Sequence, residues 1–186
     1  FHAPQLGNHG IVASRVGADE DGQRISTWLQ EKGLNIAFLQ RDEAHATGTV
    51  FVHIADGEPE YRITENVAWD FLAFTPAWSQ LAKTANAVCF ATLAQRNPTA
   101  SETIHRFLAE VPNDCLKVMD INMRKPFFNK AVLQASLPFA DVLKLNADEK
   151  KAIGLIFGVS DSHQWLLEHF EISWICQTHG KGGVEL

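Results

Sequence analysis

Cysteine is scarce in this chain, with three in 186 residues, at positions 89, 115 and 176. They are odd in number, far apart and set in apolar, strand-like runs. That argues against a disulfide framework or a CxxC metal site and predicts reduced, buried thiols in a cytoplasmic protein. Long apolar runs are also lacking: no stretch reaches the roughly 18 residues of a membrane span, and no signal-peptide pattern is present. Lys and Arg number 16 against 22 Asp and Glu, interleaved for a formal charge of -6. Without a basic run there is no electrostatic footprint for nucleic acid or an anionic membrane, and neither is expected as a partner. Several catalytic signatures are missing as well. No GxxxxGK[ST] loop, no GxGxxG after a strand and no GxSxG elbow occurs, which removes support for a Walker-type NTPase, a standard dinucleotide site and an α/β-hydrolase nucleophile. The eight histidines show neither HxH nor HExxH spacing and read as surface or satisfied core residues. The Asn97-Pro98-Thr99 sequence is no glycosylation acceptor, because Pro occupies its middle position.

What is present suits one globular core, since 46% of the residues are apolar and the length allows a single full core. The start, "FHAPQLG", reads as the last turns of a helix closed by Gly7, and the opening at Phe1 in mid-element suggests part of a longer polypeptide. "GIVASRVG" reads as a strand. "DEDGQRISTWLQEKGL" reads as a helix, with Asp19 or Asp21 as N-cap, Ile25, Trp28 and Leu29 at helical spacing and Gly33 as the stop. "NIAFLQRD", "TGTVFVHI" and "EYRIT" are β-rich, and Asp56-Gly57 between the last two is a hairpin signal. Thr47, Thr49, Phe51 and His53 alternate with Val50, Val52 and Ile54, predicting two different faces. These runs, about residues 35–64, are expected to form a small antiparallel flap outside the main sheet.

Two short helices, "NVAWDFLAF" and "PAWSQLAK", lead into regular alternation. "AVCFATLA", "CLKVMDINM", "DVLKLN" and "SWICQTHG" read as strands; "TASETIHRFLAEV", "NKAVLQASL", "ADEKKAIGLIF" and "SDSHQWLLEHF" read as helices. Near-continuous apolar strands, each followed by a helix, predict a parallel sheet covered on both faces. Such sheets bind ligands at the carboxyl ends of their strands.

Four polar motifs fall at those ends: Gly17-x-Asp19-x-x-Gly22, Asp120-x-Asn122-x-Arg124, Asn146-x-x-Glu149 and Thr178-x-Gly180-x-x-Gly183. Each has a structural reading beside the functional one. Gly17 and Gly22 can serve the turn and close helix–strand packing. Asn146 and Glu149 have the spacing of a capping box, which taken alone is the stronger reading. Asp120, Asn122 and Arg124 alternate with Ile121 and Met123, so the three polar side chains are expected on one face, where a charge cluster points to function. The loop of Thr178, Gly180, Gly182 and Gly183 is rich in N–H groups and able to approach a phosphate.

Taken in order, these motifs resemble those of the PfkB, or ribokinase, family of carbohydrate kinases, over essentially the whole chain. "VGADEDG" resembles the family's VGxDxxG, "TGTVFVHIADGEPEYRI" its lid strands, "VMDINMRKPFF" and "ADVLKLNADE" the bacterial fructokinase-type branch, and "ICQTHGKGG" its T-x-G-x-x-G turn. The resemblance implies a ribokinase-like three-layer α/β/α fold, with a mostly parallel central sheet and a small antiparallel β lid. It implies an ATP-dependent sugar kinase, acting on a primary hydroxyl, with Mg²⁺ as cofactor and ATP as co-substrate. Asn146 and Glu149 would order Mg²⁺ and the phosphates through water. Lys144, Asn146, Thr178, Gly180 and Gly183 would line the nucleotide. Asp120, Asn122 and Arg124 would lie near the transferred phosphoryl group or the sugar, and Asp19 near the sugar pocket or as a cap.

The family's GGxxxN motif and its GAGD motif, which carries the catalytic Asp, have no counterpart in these residues, and Ala91 stands where relatives often carry Gly. No catalytic base is therefore assigned, and the chain is expected to be the inactive central part of a kinase. A nucleoside kinase of the same fold and a non-catalytic sugar- or nucleotide-binding protein are the alternatives. The exposed flap is expected to pair with a second copy through its edge strands.

Overall fold

The computed structural model describes residues 2–55 and 58–186. Phe1, Asp56 and Gly57 lie outside the described residues, and with them the hairpin signal expected at Asp56-Gly57. By contacts the chain divides into two compact units, 1–73 and 74–186.

The first unit begins with α1 (His2–Gln5), ended at Gly7 in the left-handed region (φ 82). It continues with β1 (Ser14–Gly17), α2 (Glu20–Glu31) and β2 (Leu39–Asp42). The strand expected from residue 10 is shorter, with Ile11 joined only by an isolated bridge to Asn35. Asp19 is the α2 N-cap, its side chain accepting the Gly22 N–H, and Gly33 (φ 71) follows the last turn. Only Leu29 of the expected apolar stripe is buried; Ile25 and Trp28 are exposed.

The run at 35–42, expected in the antiparallel flap, belongs elsewhere: β2 pairs in parallel with β1, Ser14 opposite Leu39 through Gly17 opposite Asp42. The reason is connectivity. α2 supplies the crossover that parallel neighbours require. The flap is therefore a hairpin of β3 (Val50–Ala55) and β4 (Glu58–Ile63), antiparallel from Val50 opposite Ile63 to Ala55 opposite Glu58. Val50, Val52 and Ile54 share one face with Tyr61 and Ile63, whereas Phe51 and His53 lie on the other, as the alternation predicts. The helix expected at "NVAWDFLAF" is a single 3-10 turn at Ala68–Phe71.

The second unit runs α3 (Pro76–Ala82), β5 (Ala87–Ala91), α4 (Pro98–Glu110), β6 (Leu116–Asp120), α5 (Lys130–Ser136), β7 (Val142–Asn146), α6 (Ala147–Phe157), α7 (Ser162–Phe170), β8 (Trp174–Thr178) and β9 (Val184–Glu185). Its sheet has the order β5-β6-β7-β8-β9, parallel except for β9, which is antiparallel to β8. Thr75, Asn97, Asn129, Asn146 and Asp161 cap the helices from their side chains, satisfying N–H groups that the first turn leaves free. Met119, Leu143, Leu145 and Ile175 from the sheet and Ile121 just after β6 pack with Leu108, Leu133, Ile153 and Leu166 from the helices in one core. Burial of each such side chain stabilises the fold by roughly 1.5–3 kcal/mol. The cysteines depart from expectation: Cys115 is buried and Cys176 half-buried, but Cys89 on β5 is exposed.

Candidate functional site

At the carboxyl end of the main sheet the register sets polar residues side by side, with Asp120 opposite Lys144 and Asn146 opposite Thr178. The Lys144 ammonium donates to both Asp120 oxygens, at 3.0 and 2.9 Å. Both side chains are partly solvated, so the pair orients two charges more than it stabilises the fold. Lys144 is committed to this carboxylate, and a phosphate reaching it would have to compete.

Asn146 and Glu149 form the capping box. The Asn146 side chain accepts the Glu149 N–H at 2.9 Å, and Glu149 Oε2 accepts the Asn146 N–H at 2.8 Å. Glu149 does more than cap, because its Oε1 accepts the Met123 N–H at 2.8 Å. A carboxylate only 4% exposed thus ties the start of α6 to the loop after β6. Thr92 Oγ1 donates to the Ile121 carbonyl at 2.6 Å, and the Ile121 N–H to the Lys144 carbonyl at 3.0 Å, fixing the same loop from two sides.

Asp120, Asn122 and Arg124 do not share a face as the alternation predicts. β6 ends at Asp120, and Asn122 adopts a left-handed backbone (φ 42), so the two-residue period stops there. Arg124 is exposed and donates to the adjacent Met123 carbonyl at 3.0 Å. After β8, Thr178 Oγ1 makes a long bond of 3.4 Å to the Leu145 carbonyl. Gly180 (φ 56) and Gly183 (φ 94) are both left-handed, and nothing lies within 4 Å of where their Cβ atoms would stand. Conformation, not space, calls for glycine there.

Asn146 and Glu149 suit a hydrated cation held through water rather than direct ligation. Each Glu149 oxygen already accepts one peptide N–H and keeps lone-pair capacity for a second partner. Mg²⁺ dehydrates reluctantly and commonly keeps several waters.

The remaining predicted residue, Asp19, is in the first unit. Its Oδ1 accepts from the Gly22 N–H at 2.8 Å and the Thr47 hydroxyl at 2.6 Å, and its Oδ2 from the Thr47 N–H at 2.7 Å. Thr47 Oγ1 in turn accepts the Gly17 N–H at 2.9 Å. The Thr47 hydroxyl, then its N–H and that of Gly22, hold the Asp19 carboxyl below its usual range despite some burial. The motifs VGxDxxG and TG are therefore one structure, a tie between the start of α2 and the chain entering the hairpin. Of the two roles considered for Asp19, the cap is the one observed.

A second cluster in this unit was not anticipated. Asp42, 2% exposed, ends β2. Its Oδ1 accepts the N–H groups of Ala44 and His45 at 2.8 and 2.9 Å, while Arg15 Nε and His45 Nδ1 reach Oδ2 at 2.8 and 3.1 Å. Burial pushes this carboxyl up; the two N–H groups, the imidazole and the guanidinium outweigh it and leave it below its usual range. The sequence signal was an Asp at a strand end with His three residues on, a spacing that a turn brings together.

A mostly parallel sheet with polar residues at its strand ends in one unit, and a two-stranded antiparallel hairpin in the other, are the features of an α/β protein of the ribokinase-like class. The pfkB family carbohydrate kinase model matches residues 2–184, and the chain belongs to that family. An uncharacterized sugar kinase from Pyrococcus horikoshii is 24% identical over 152 residues, covering 78% of this chain and 49% of that protein. Its structure in complex with ATP superposes with a TM-score of 0.78 at 20% identity, over 98% of this chain and 59% of the other. A fructokinase of Escherichia coli is 27% identical over 192 residues, covering 97% of this chain and 61% of its own length. The structure of a Xylella fastidiosa fructokinase with bound ATP has a TM-score of 0.83 at 19% identity, over 98% of this chain and 59% of that one. The chain thus spans about half to three-fifths of the length of these relatives, and the structural likeness confirms the ribokinase-like α/β fold.

Proposed function

We propose that the protein containing this chain is an ATP- and Mg²⁺-dependent sugar kinase of fructokinase type, with both units forming parts of one ribokinase-like domain. The observation that carries this reading is the arrangement at the ends of β6, β7 and β8. There Asp120 stands opposite Lys144 and Asn146 opposite Thr178, with the buried Glu149 of α6 bonded to Asn146, in a chain of carbohydrate-kinase family. In this reading Asn146 and Glu149 order a hydrated Mg²⁺ beside the phosphates. Lys144, Thr178, Gly180 and Gly183 follow the nucleotide, and Asp120, Asn122 and Arg124 lie toward the phosphoryl group or the sugar. Phosphoryl transfer also needs a base for the attacking hydroxyl, which we assign to no residue of this chain. Transfer of ³²P from ATP by the product of the intact reading frame, screened with fructose, ribose and adenosine with and without Mg²⁺, tests the reading. Transfer to adenosine alone would indicate a nucleoside kinase. Sugar binding by calorimetry without transfer would indicate a binding protein.

The reading extends to a cytoplasmic homodimer joined through the lid. No described helix is long and apolar enough to cross a membrane. The hairpin supplies the surface: Val50, Val52, Ile54 and Tyr61, all on one face, are 53, 58, 70 and 65% exposed. Contiguous exposed apolar residues of this kind mark an interaction surface. Sedimentation that finds only monomer would overturn the dimer.

A further inference from the structure

We propose that His45 is a substrate-binding residue, its Nε2 accepting a hydrogen bond from a hydroxyl of the polyol acceptor, with Asp42 as its positioning residue. The proposal rests on the sugar-kinase reading above. Every partner of the Asp42 carboxylate is a donor: two peptide N–H groups, the Arg15 guanidinium and the imidazole. Nδ1 of His45 therefore carries the proton, and in the neutral ring Nε2 is left as an acceptor. The carboxylate on Nδ1 also fixes the plane of the ring.

The face of the ring is held as firmly as its edge. It stacks on Phe71 with centroids 3.7 Å apart and planes 16° from parallel, and the Phe71 carbonyl accepts Arg15 Nη1 at 2.6 Å. Two residues further on, the Asp19–Thr47 tie anchors the loop's other end. All these contacts orient a side chain that is still 32% exposed. Its Nε2 has no hydrogen-bond partner among the described residues. A histidine serving packing alone has no need of so precise an outward nitrogen. A hydroxyl donor is the complement of this acceptor, and a sugar offers several.

Two substitutions separate binding from support. In His45→Asn the amide N–H replaces Nδ1–H toward Asp42 and the Nε2 acceptor is lost. In His45→Gln the longer amide returns an oxygen near the Nε2 position. In the protein expressed from the intact reading frame, H45N should raise the KM for the sugar about tenfold, the equivalent of one lost hydrogen bond, and leave the KM for Mg-ATP unchanged. H45Q should recover most of the loss, and thermal denaturation should confirm that both variants fold. A sugar KM within twofold of wild type in folded H45N would overturn the proposal.

Imidazole ¹⁵N NMR with fructose and ribose as probes gives a readout independent of turnover, expected as a shift of His45 Nε2 much larger than that of Nδ1. If the wild type transfers phosphate to no sugar, the kinase reading fails. The titration still decides His45, because absence of any Nε2 shift overturns its role.

Discussion

Glu149 is the residue on which the strand-end site turns, because one buried carboxylate holds two peptide N–H groups from different elements. Glu149→Ala should leave both donors unpaired and cost about 2–6 kcal/mol in urea unfolding, from about 1–3 kcal/mol for each of the two unsatisfied groups. Glu149→Gln keeps one acceptor and should lose about half as much. Asn146→Ala asks a different question. Removal of the cap alone should cost about 1 kcal/mol with Mg-ATP affinity unchanged; weakened Mg-ATP binding at normal stability would assign Asn146 to the nucleotide site. The NxxE spacing was legible in the sequence as a cap and, through its place among four strand-end motifs, as a site. The third contact, to Met123, was not legible, because only the paths of β6 and β7 bring residue 123 to residue 149.

Among the elements, the hairpin depends on a tie outside its own strands. Asp19 and Thr47 share two hydrogen bonds between side chain and side chain or backbone, and Gly17 and Gly22 close around them. A Cβ on Gly22 would run into the Gly17 carbonyl, so Gly22→Ala should destabilise the first unit even though Gly22 stands in a helix, where alanine is otherwise favoured. Asp19→Ala and Thr47→Val should each cost about 1–3 kcal/mol. Their double mutant should lose about 1–2 kcal/mol less than the sum, as expected for groups in direct contact. Additive losses in chemical denaturation would dismiss the tie. Both motifs were visible as glycine-containing strings 28 residues apart, but nothing in their spacing showed that they meet. The same limit explains the misplacement of "LQRD". Its β character was readable, whereas its partner was decided by the crossover through α2 rather than by its neighbours in sequence.

For the whole molecule, pH should act in two steps with the same sign. His105 Nε2 bonds to Gln95 Oε1 at 2.8 Å, and burial lowers its pKa. The unfolded chain therefore takes up its proton first, and stability should fall as pH drops through the ordinary histidine range near ~6.5. In the folded protein the Asp19 and Asp42 carboxyls lie below the usual carboxylate range, held there by the donors around them. Their contribution is fully present above the unfolded carboxylate range and is lost below about pH 4. Urea midpoints measured between pH 8 and pH 3 should show both falls. His105→Gln should remove the first, and Asp42→Asn should flatten the second while lowering stability at neutral pH. A profile unchanged by either substitution would contradict these assignments.

The order of elements, their caps and the α/β class were set by the sequence itself, because apolar periodicity, N-cap residues and left-handed glycines act over a few positions. Helices α2, α4, α5, α6 and α7 and strands β5 to β8 fall where those local signals put them. Tertiary structure decided what joins distant parts of the chain: β2 beside β1, Glu149 on the Met123 N–H, Asp19 on Thr47, Lys144 on Asp120, and His45 held between Asp42 and Phe71. The physical reason is that a buried carboxylate is tolerable only when its lone pairs find donors. Which donors they find depends on the path of the backbone through space, and no local pattern records it.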